Sequence, residues 1–361
     1  MMILKKFFWL IFGIASLLLR EIFKVHPSWT EKLYSRGIFQ GVRFVIDYLL
    51  GWLPFPLVYI LFGVVLWRIF KGGQFLFFAK DISLGQRLLK IGWRLLSFLG
   101  GTIGLFYWLW GYNYSRLPIE KQLNLPNITL NKADLKAELD QQTAVVLRLR
   151  KQIIADTTLP YSALVQADLD YNLEPIVRQA VETELQNLHF PTLGRVRGRQ
   201  PFWQGFLLRF GAAGIYNPFT GESNIDKGLY FLTKPYTLAH EFCHGYGFSD
   251  EGTCNFLAYL ALQKSDNLPL RYAAELSYWR EVAGTYRRLD PETYKPFRAQ
   301  LPLGFRLDLD AINQNLEKYP EYFADFRYEV YDNYLKAQGI SEGIQNYSKV
   351  IRLVVAWRKK A

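Results

Sequence analysis

The chain of 361 residues is 50% apolar and 17% aromatic, with a formal net charge of +11. That length suits one large or two ordinary domains, and two cysteines exclude a disulfide framework. The basic residues gather around apolar runs near the N-terminus, which excludes a nucleic-acid surface as their main use and leaves no nucleic-acid partner expected.

Three apolar stretches crowd the first third. Phe7 to Leu19 is only 13 residues, but Lys5, Lys6 and Arg20 can snorkel and lengthen its span. No small-x-small cleavage site follows it, so it reads as an uncleaved helix rather than a signal peptide. Leu49 to Trp67 and Leu95 to Tyr114 contain no charged residue, and each is about the 20 residues that cross a hydrocarbon core. Pro54 and Pro56 fall near the start of the second, where a proline disturbs a helix least. Gly100, Gly101 and Gly104 in the third allow a neighbouring helix close approach. The expectation is a membrane domain over 1–115, with spans at about 3–23, 49–70 and 93–114 and the lipid bilayer as partner.

Orientation follows from the Lys and Arg bias of the loops. Lys5, Lys6, Arg68, Lys71, Lys80, Arg87, Lys90 and Arg94 lie on one side; Arg20, Lys24, Lys32, Arg36 and Arg43 lie on the other. The excess predicts a cytoplasmic N-terminus in a multi-pass cell-membrane protein, with the later part of the chain extracytoplasmic.

After Tyr114 the composition becomes that of a soluble domain, expected over 116–361. Apolar residues at helical spacing predict helices over Asn131 to Ala155 and Leu173 to Leu188. The stretch "FPTLGRVRGRQPFWQGFLLRFGAAGIYNPFTGESNIDKGLYFL", rich in Gly, Pro and β-formers, predicts short strands and turns. Helices are expected again over Arg271 to Arg288, Pro320 to Gln338 and Ser341 to Trp357. The fold class is therefore N-terminal transmembrane helices followed by a mainly α (α+β) domain with a small sheet.

Two of the four histidines and both cysteines fall within "TLAHEFCHGYGFSDEGTCNFLAYLA", Thr237 to Ala261. His240-Glu241-Phe242-Cys243-His244 fits the H-E-x-x-H pattern. On a helix, positions i and i+4 share a face, so both imidazoles can reach one Zn2+ ion. Glu241 sits beside that point and is the candidate general base for a water acidified there. Pro235 suits a first helical turn, and Gly245 and Gly247 suit a helix end. Seven residues on, Glu251 opens a second helix and offers a carboxylate as third ligand, with Asp250 its nearest rival. Cys243 and Cys254 read as small buried residues between the two helices.

The arrangement is similar to the gluzincin metallopeptidases, in which H-E-x-x-H pairs with Glu-x-x-x-Asp on the next helix. That resemblance implies a zincin-like domain, His240, His244 and Glu251 as ligands, and Asn255 at the position of the aspartate that orients a ligand histidine. Nearly the whole chain, through "GWLPF", "GIYNPFTGESNID", "TLAHEFCHGYGFSDEGTCNFLAYLA" and "VYDNYLKAQGI", resembles a bacterial membrane family, domain-of-unknown-function family 3810. Its usual acidic run after the histidines reads here as Glu251-Gly252-Thr253-Cys254-Asn255-Phe256, which keeps the first Glu. Peptide hydrolysis also needs a donor for the developing oxyanion, for which Tyr331 and Tyr334 are the candidates. The function expected is a membrane-anchored zinc metallopeptidase acting on a peptide or protein. The alternative is a non-catalytic membrane scaffold with a structural or vestigial zinc site. An intramembrane protease does not fit, because Lys234, Asp250 and Glu251 flank a helix too short and polar to span.

Overall fold

The computed structural model describes residues 2–79, 82–161 and 173–360 and is mainly helical with one small sheet. The chain divides into two compact units. The first holds Met1–Leu117 with two short later segments, Leu193–Arg195 and Asn217–Glu222. The second holds Pro118–Thr192, Val196–Tyr216 and Ser223–Ala361.

In the first unit, helix α1 (Met2–Val25) runs along α4 (Leu84–Leu109). The two backbones meet at Gly13 and Gly100, where a Cβ added to Gly13 would lie 2.5 Å from the Gly100 carbonyl oxygen. Only glycine allows that approach, as the spacing of small residues predicts. Gly104 makes room in the same way for the Phe12 ring. A capping box of Ser83 and Gln86 starts α4. By length and composition, α3 (Val58–Phe78) and α4 can each cross a membrane. None of the most apolar window of α3 is buried within the protein, and only 17% of that of α4.

The second apolar stretch does not start a helix at Leu49. Helix α2 (Phe39–Leu50) ends there, and the chain turns through Pro54 and Pro56 before α3 begins at Val58. Pro54 and Pro56 each lack the N–H that a continuing helix would need, and the buried Glu222 carboxylate accepts the Leu57 N–H at 2.8 Å. Upstream, where the sequence offered only a charged loop, a π-helix (Thr30–Ile38) leads into α2. Three of its four buried residues, Thr30, Glu31 and Ser35, are polar, and the fourth is Tyr34. Glu31 pairs with Arg36 and Arg116 at 2.8 Å, Ser35 bonds Asn113, and the buried Arg43 pairs with Asp47. Charged and polar groups thus share the buried face with Tyr34, Phe39 and Ile46, which blurs any apolar stripe.

The second unit contains helices α5 (Lys132–Ile153), α6 (Leu173–Asn187), α7 (Lys234–Gly245), α8 (Glu251–Gln263), α9 (Leu268–Leu289), α10 (Pro291–Gln300), α11 (Leu303–Glu317), α12 (Ala324–Ala337) and α13 (Lys349–Lys360). Asn131 caps α5 through a capping box with Asp134. The chain over 291–317, unassigned from the sequence, forms α10 and α11. There the buried Asp308 accepts from Arg150, Tyr272 and the Tyr161 N–H, so a core-facing position is again polar.

Strands β1 (Arg197–Arg199), β2 (Gly214–Asn217) and β3 (Glu222–Ile225) form one sheet in the order β1-β3-β2. The buried β3 is central, and β1 and β2 are edges. Helix α8 is buried from Glu251 to Leu262 and packs against α6, α7, α9 and α13. A helix so enclosed holds any side chain on it in a fixed place.

Candidate metal centre

Helix α7 begins with Pro235 in its first turn, as expected, and places His240 and His244 on one face. It ends in a Schellman cap. Gly247 adopts φ +89, its N–H bonds the His244 carbonyl at 3.0 Å, and the Phe248 N–H bonds the Cys243 carbonyl at 3.1 Å. The cap turns the chain back within five residues to Asp250, the N-cap of α8. Asp250 accepts from the Thr253 N–H at 2.7 Å and lies 3.4 Å from the Lys349 ammonium. Its carboxylate thus serves the helix end, and the rival third ligand drops out.

Glu251, the next residue, turns into the space between the helices. Its Oε2 lies 3.0 Å from His240 Nε2 and 3.4 Å from His244 Nε2, and the two imidazole nitrogens are 3.1 Å apart. All three side chains are buried. Three donors bound to one tetrahedral zinc at its usual bond lengths would stand about 3.3 Å apart. The spacing therefore fits a single metal ion, and two imidazoles with one carboxylate are a donor set that binds one.

The surroundings fix these donors. His240 Nδ1 meets Asn255 Oδ1 at 2.7 Å, so Asn255 sits at the orienting position the resemblance implies. The Tyr236 hydroxyl in turn donates to the Asn255 carbonyl at 2.9 Å. His244 Nδ1 meets the Phe248 carbonyl oxygen at 2.8 Å. With both Nδ1 atoms facing acceptors, each ring can donate from there and turns Nε2 to the shared point. Cys254 Sγ lies 3.4 Å from His244 Nδ1, the nitrogen turned away from that point. Both cysteines are buried and free.

Glu241 lies beside the cluster, 5% exposed. One of its oxygens accepts the Tyr216 N–H, and Oε2 has no hydrogen-bond partner among the described residues. Burial raises its pKa, against the pull of the two imidazoles. Burial also acts on Glu251, but the imidazoles outweigh it and hold that carboxyl well below its ordinary range. Two neighbouring carboxyls thus shift in opposite directions, Glu251 toward its anionic form and Glu241 toward its protonated one.

Tyr331, on α12, donates its hydroxyl to Glu251 Oε1 at 2.8 Å. The Tyr334 ring stacks on Tyr331 at 6.3 Å and is exposed. Sequence reasoning thus placed Tyr331 near the centre but missed what it touches. It also missed Gly214, against which Glu241 packs, and the Phe248 carbonyl; only the second leaves a trace in the sequence, as the glycine that forms the cap.

The family described as "Protein of unknown function (DUF3810)" matches residues 34–355, and the chain belongs to it. No curated protein and no solved structure matches the chain.

Proposed function

We propose that the chain is a membrane-anchored, zinc-dependent hydrolase similar to the gluzincins, and that it cleaves peptide bonds outside the cytoplasm. One observation carries this reading: a buried carboxylate oxygen short of a partner, on Glu241, stands beside three converging donors. A purely structural site would have no use for it, and burying such a group unpaired is unfavourable. Zinc is the ion that two imidazoles and one carboxylate suit, with a position left open.

A zinc ion held by His240, His244 and Glu251 would supply Lewis acidity, acidifying a water and polarising a carbonyl. The protein's own part is proton transfer. Glu241 Oε2 takes the proton of the attacking water and passes it to the leaving amine, and a raised pKa suits both steps. Strand β2 is a sheet edge that touches Glu241 through Gly214, so an extended peptide pairing with it would lie across the donors. That geometry favours a peptide over other acyl substrates. Against the scaffold alternative, a structural zinc site needs a fourth protein ligand, and Cys254, the nearest thiol, faces the wrong nitrogen of His244.

Anchoring rests on α3 and α4 with α1 beside α4, and the outward orientation on Lys5 and Lys6 together with the Lys and Arg excess in the second half of α3 and the first half of α4. The test is metal analysis of the detergent-purified chain with an unbiased peptide-library digest, with and without chelator. One zinc per chain and chelator-sensitive cleavage are expected; a chain that takes up no metal from saturating zinc ends the proposal.

A further inference from the structure

We propose that Tyr331 is a positioning residue that restricts Glu251 to a single donor oxygen; this rests on the reading of the cluster as a metal site. The two oxygens of Glu251 face different partners. Oε2 is turned to both imidazoles, while Oε1 accepts the Tyr331 hydroxyl at 2.8 Å. A tyrosine hydroxyl has one proton to give. While it is spent on Oε1, that oxygen is drawn away from the donor point and Tyr331 has no proton for a substrate. The sequence-based role of oxyanion donor therefore gives way to one that acts through the ligand.

The placement of this hydroxyl is built from a distance of 80 residues. Phe323, at φ +50 just before α12, sets the direction of the helix two turns ahead of Tyr331. Such a conformation is strained for a bulky residue and needs support from its neighbours. That support is Arg327. Its Nε donates to the Tyr322 carbonyl at 2.6 Å, its Nη1 to the Phe210 carbonyl, and its Nη2 to Glu321 at 2.6 Å. The Tyr322 N–H adds a bond to the Arg209 carbonyl at 2.7 Å. The segment clamped in this way, 209–210, runs directly into β2, whose Gly214 and Tyr216 contact Glu241. One clamp thus sets the hydroxyl that holds Glu251 and the strand that holds Glu241.

The experiment compares Tyr331→Phe and Tyr334→Phe with the unsubstituted full-length chain in detergent. It reads zinc affinity by chelator competition and the visible absorption of the cobalt(II)-loaded protein. Tyr331→Phe is expected to weaken zinc about tenfold, as loss of an outer hydrogen bond to a ligand does. It should also weaken the cobalt bands as Oε1 joins the ion and the coordination number rises. Tyr334→Phe should leave both unchanged, which separates the hydroxyl from ring packing. Unchanged zinc affinity and cobalt bands in Tyr331→Phe overturn the proposal, even if hydrolysis falls, because the hydroxyl would then act on substrate. Equal effects from both variants overturn it as well. If no variant and no unsubstituted chain binds metal, the metal reading fails first; hydrolysis failing with these shifts intact touches only the peptidase reading.

Discussion

Gly214 and Glu241 stand so close that a Cβ on the glycine would lie 2.6 Å from Glu241 Oε1 and 2.7 Å from its Cγ. The other neighbour is the Asn224 carbonyl oxygen at 2.9 Å, so an added methyl has backbone behind it and the carboxylate must move. The donors on α7 and α8 do not depend on β2. Gly214→Ala is therefore expected to keep metal content unchanged while lowering kcat/KM about a hundredfold, the usual effect of displacing a reacting group by an ångström. Metal analysis and peptide hydrolysis measured on one preparation check this, and loss of metal would refute it.

Glu241→Gln tests the role proposed for Glu241 as proton carrier. Zinc should remain near one per chain, and hydrolysis should fall by about 10²- to 10⁴-fold, the contribution of a general base. The same change should stabilise the metal-free fold by about 1 kcal/mol, since an underpaired buried charge is removed. Burial raises the Glu241 pKa, so the charged form is the unfavourable one above the ordinary carboxylate range. The stability gap should accordingly narrow as the pH is lowered from that raised value toward the ordinary carboxylate range, and be closed below it. Denaturant titrations of the two proteins at several pH values measure it.

The two helices that carry His240, His244 and Glu251 were legible in the sequence because each signal is local. Histidines four apart, a glycine pair after them and an Asp just before Glu251 all lie within a few residues of one another. The first helix was legible, but the shape of residues 26–50 was not, because Glu31, Ser35, Arg43 and Asp47 share the buried face with Tyr34, Phe39 and Ile46 and blur its hydropathy period. Gly214 and the contact of Tyr331 with Glu251 were missed for another reason. Their roles exist only through partners 27 and 80 positions away, and no spacing rule links a glycine on an edge strand to a carboxylate on a helix.

Adjacent acids give a sharp contrast. Asp250 accepts the Thr253 N–H and hydroxyl at 2.7 and 2.6 Å, so Asp250→Ala should cost about 1 kcal/mol of stability as a lost N-cap and leave the metal bound. Glu251→Ala removes one of three donors and should abolish metal binding at zinc levels that saturate the unsubstituted chain. Thermal shifts with and without zinc separate the two effects. Retention of zinc by Glu251→Ala would move the third ligand elsewhere.

Protons and metal compete for His244. In the metal-free chain burial disfavours its charged form, but the Glu251 carboxylate outweighs this and raises its pKa to about 9. A raised value stabilises the metal-free fold at low pH, and the contribution is lost as pH rises through about 9. Glu251, held low, contributes above the ordinary carboxylate range and loses its contribution as pH falls through its depressed value. Between these limits the site holds a proton that must leave before a metal can take neutral imidazole. Zinc binding at neutral pH should therefore release about one proton, and affinity should climb about tenfold per pH unit until His244 is neutral without help. Calorimetric titrations in buffers of different ionisation heat count that proton directly. A count of zero would mean that His244 is already neutral, and that Glu251, 3.4 Å away, does not hold it charged.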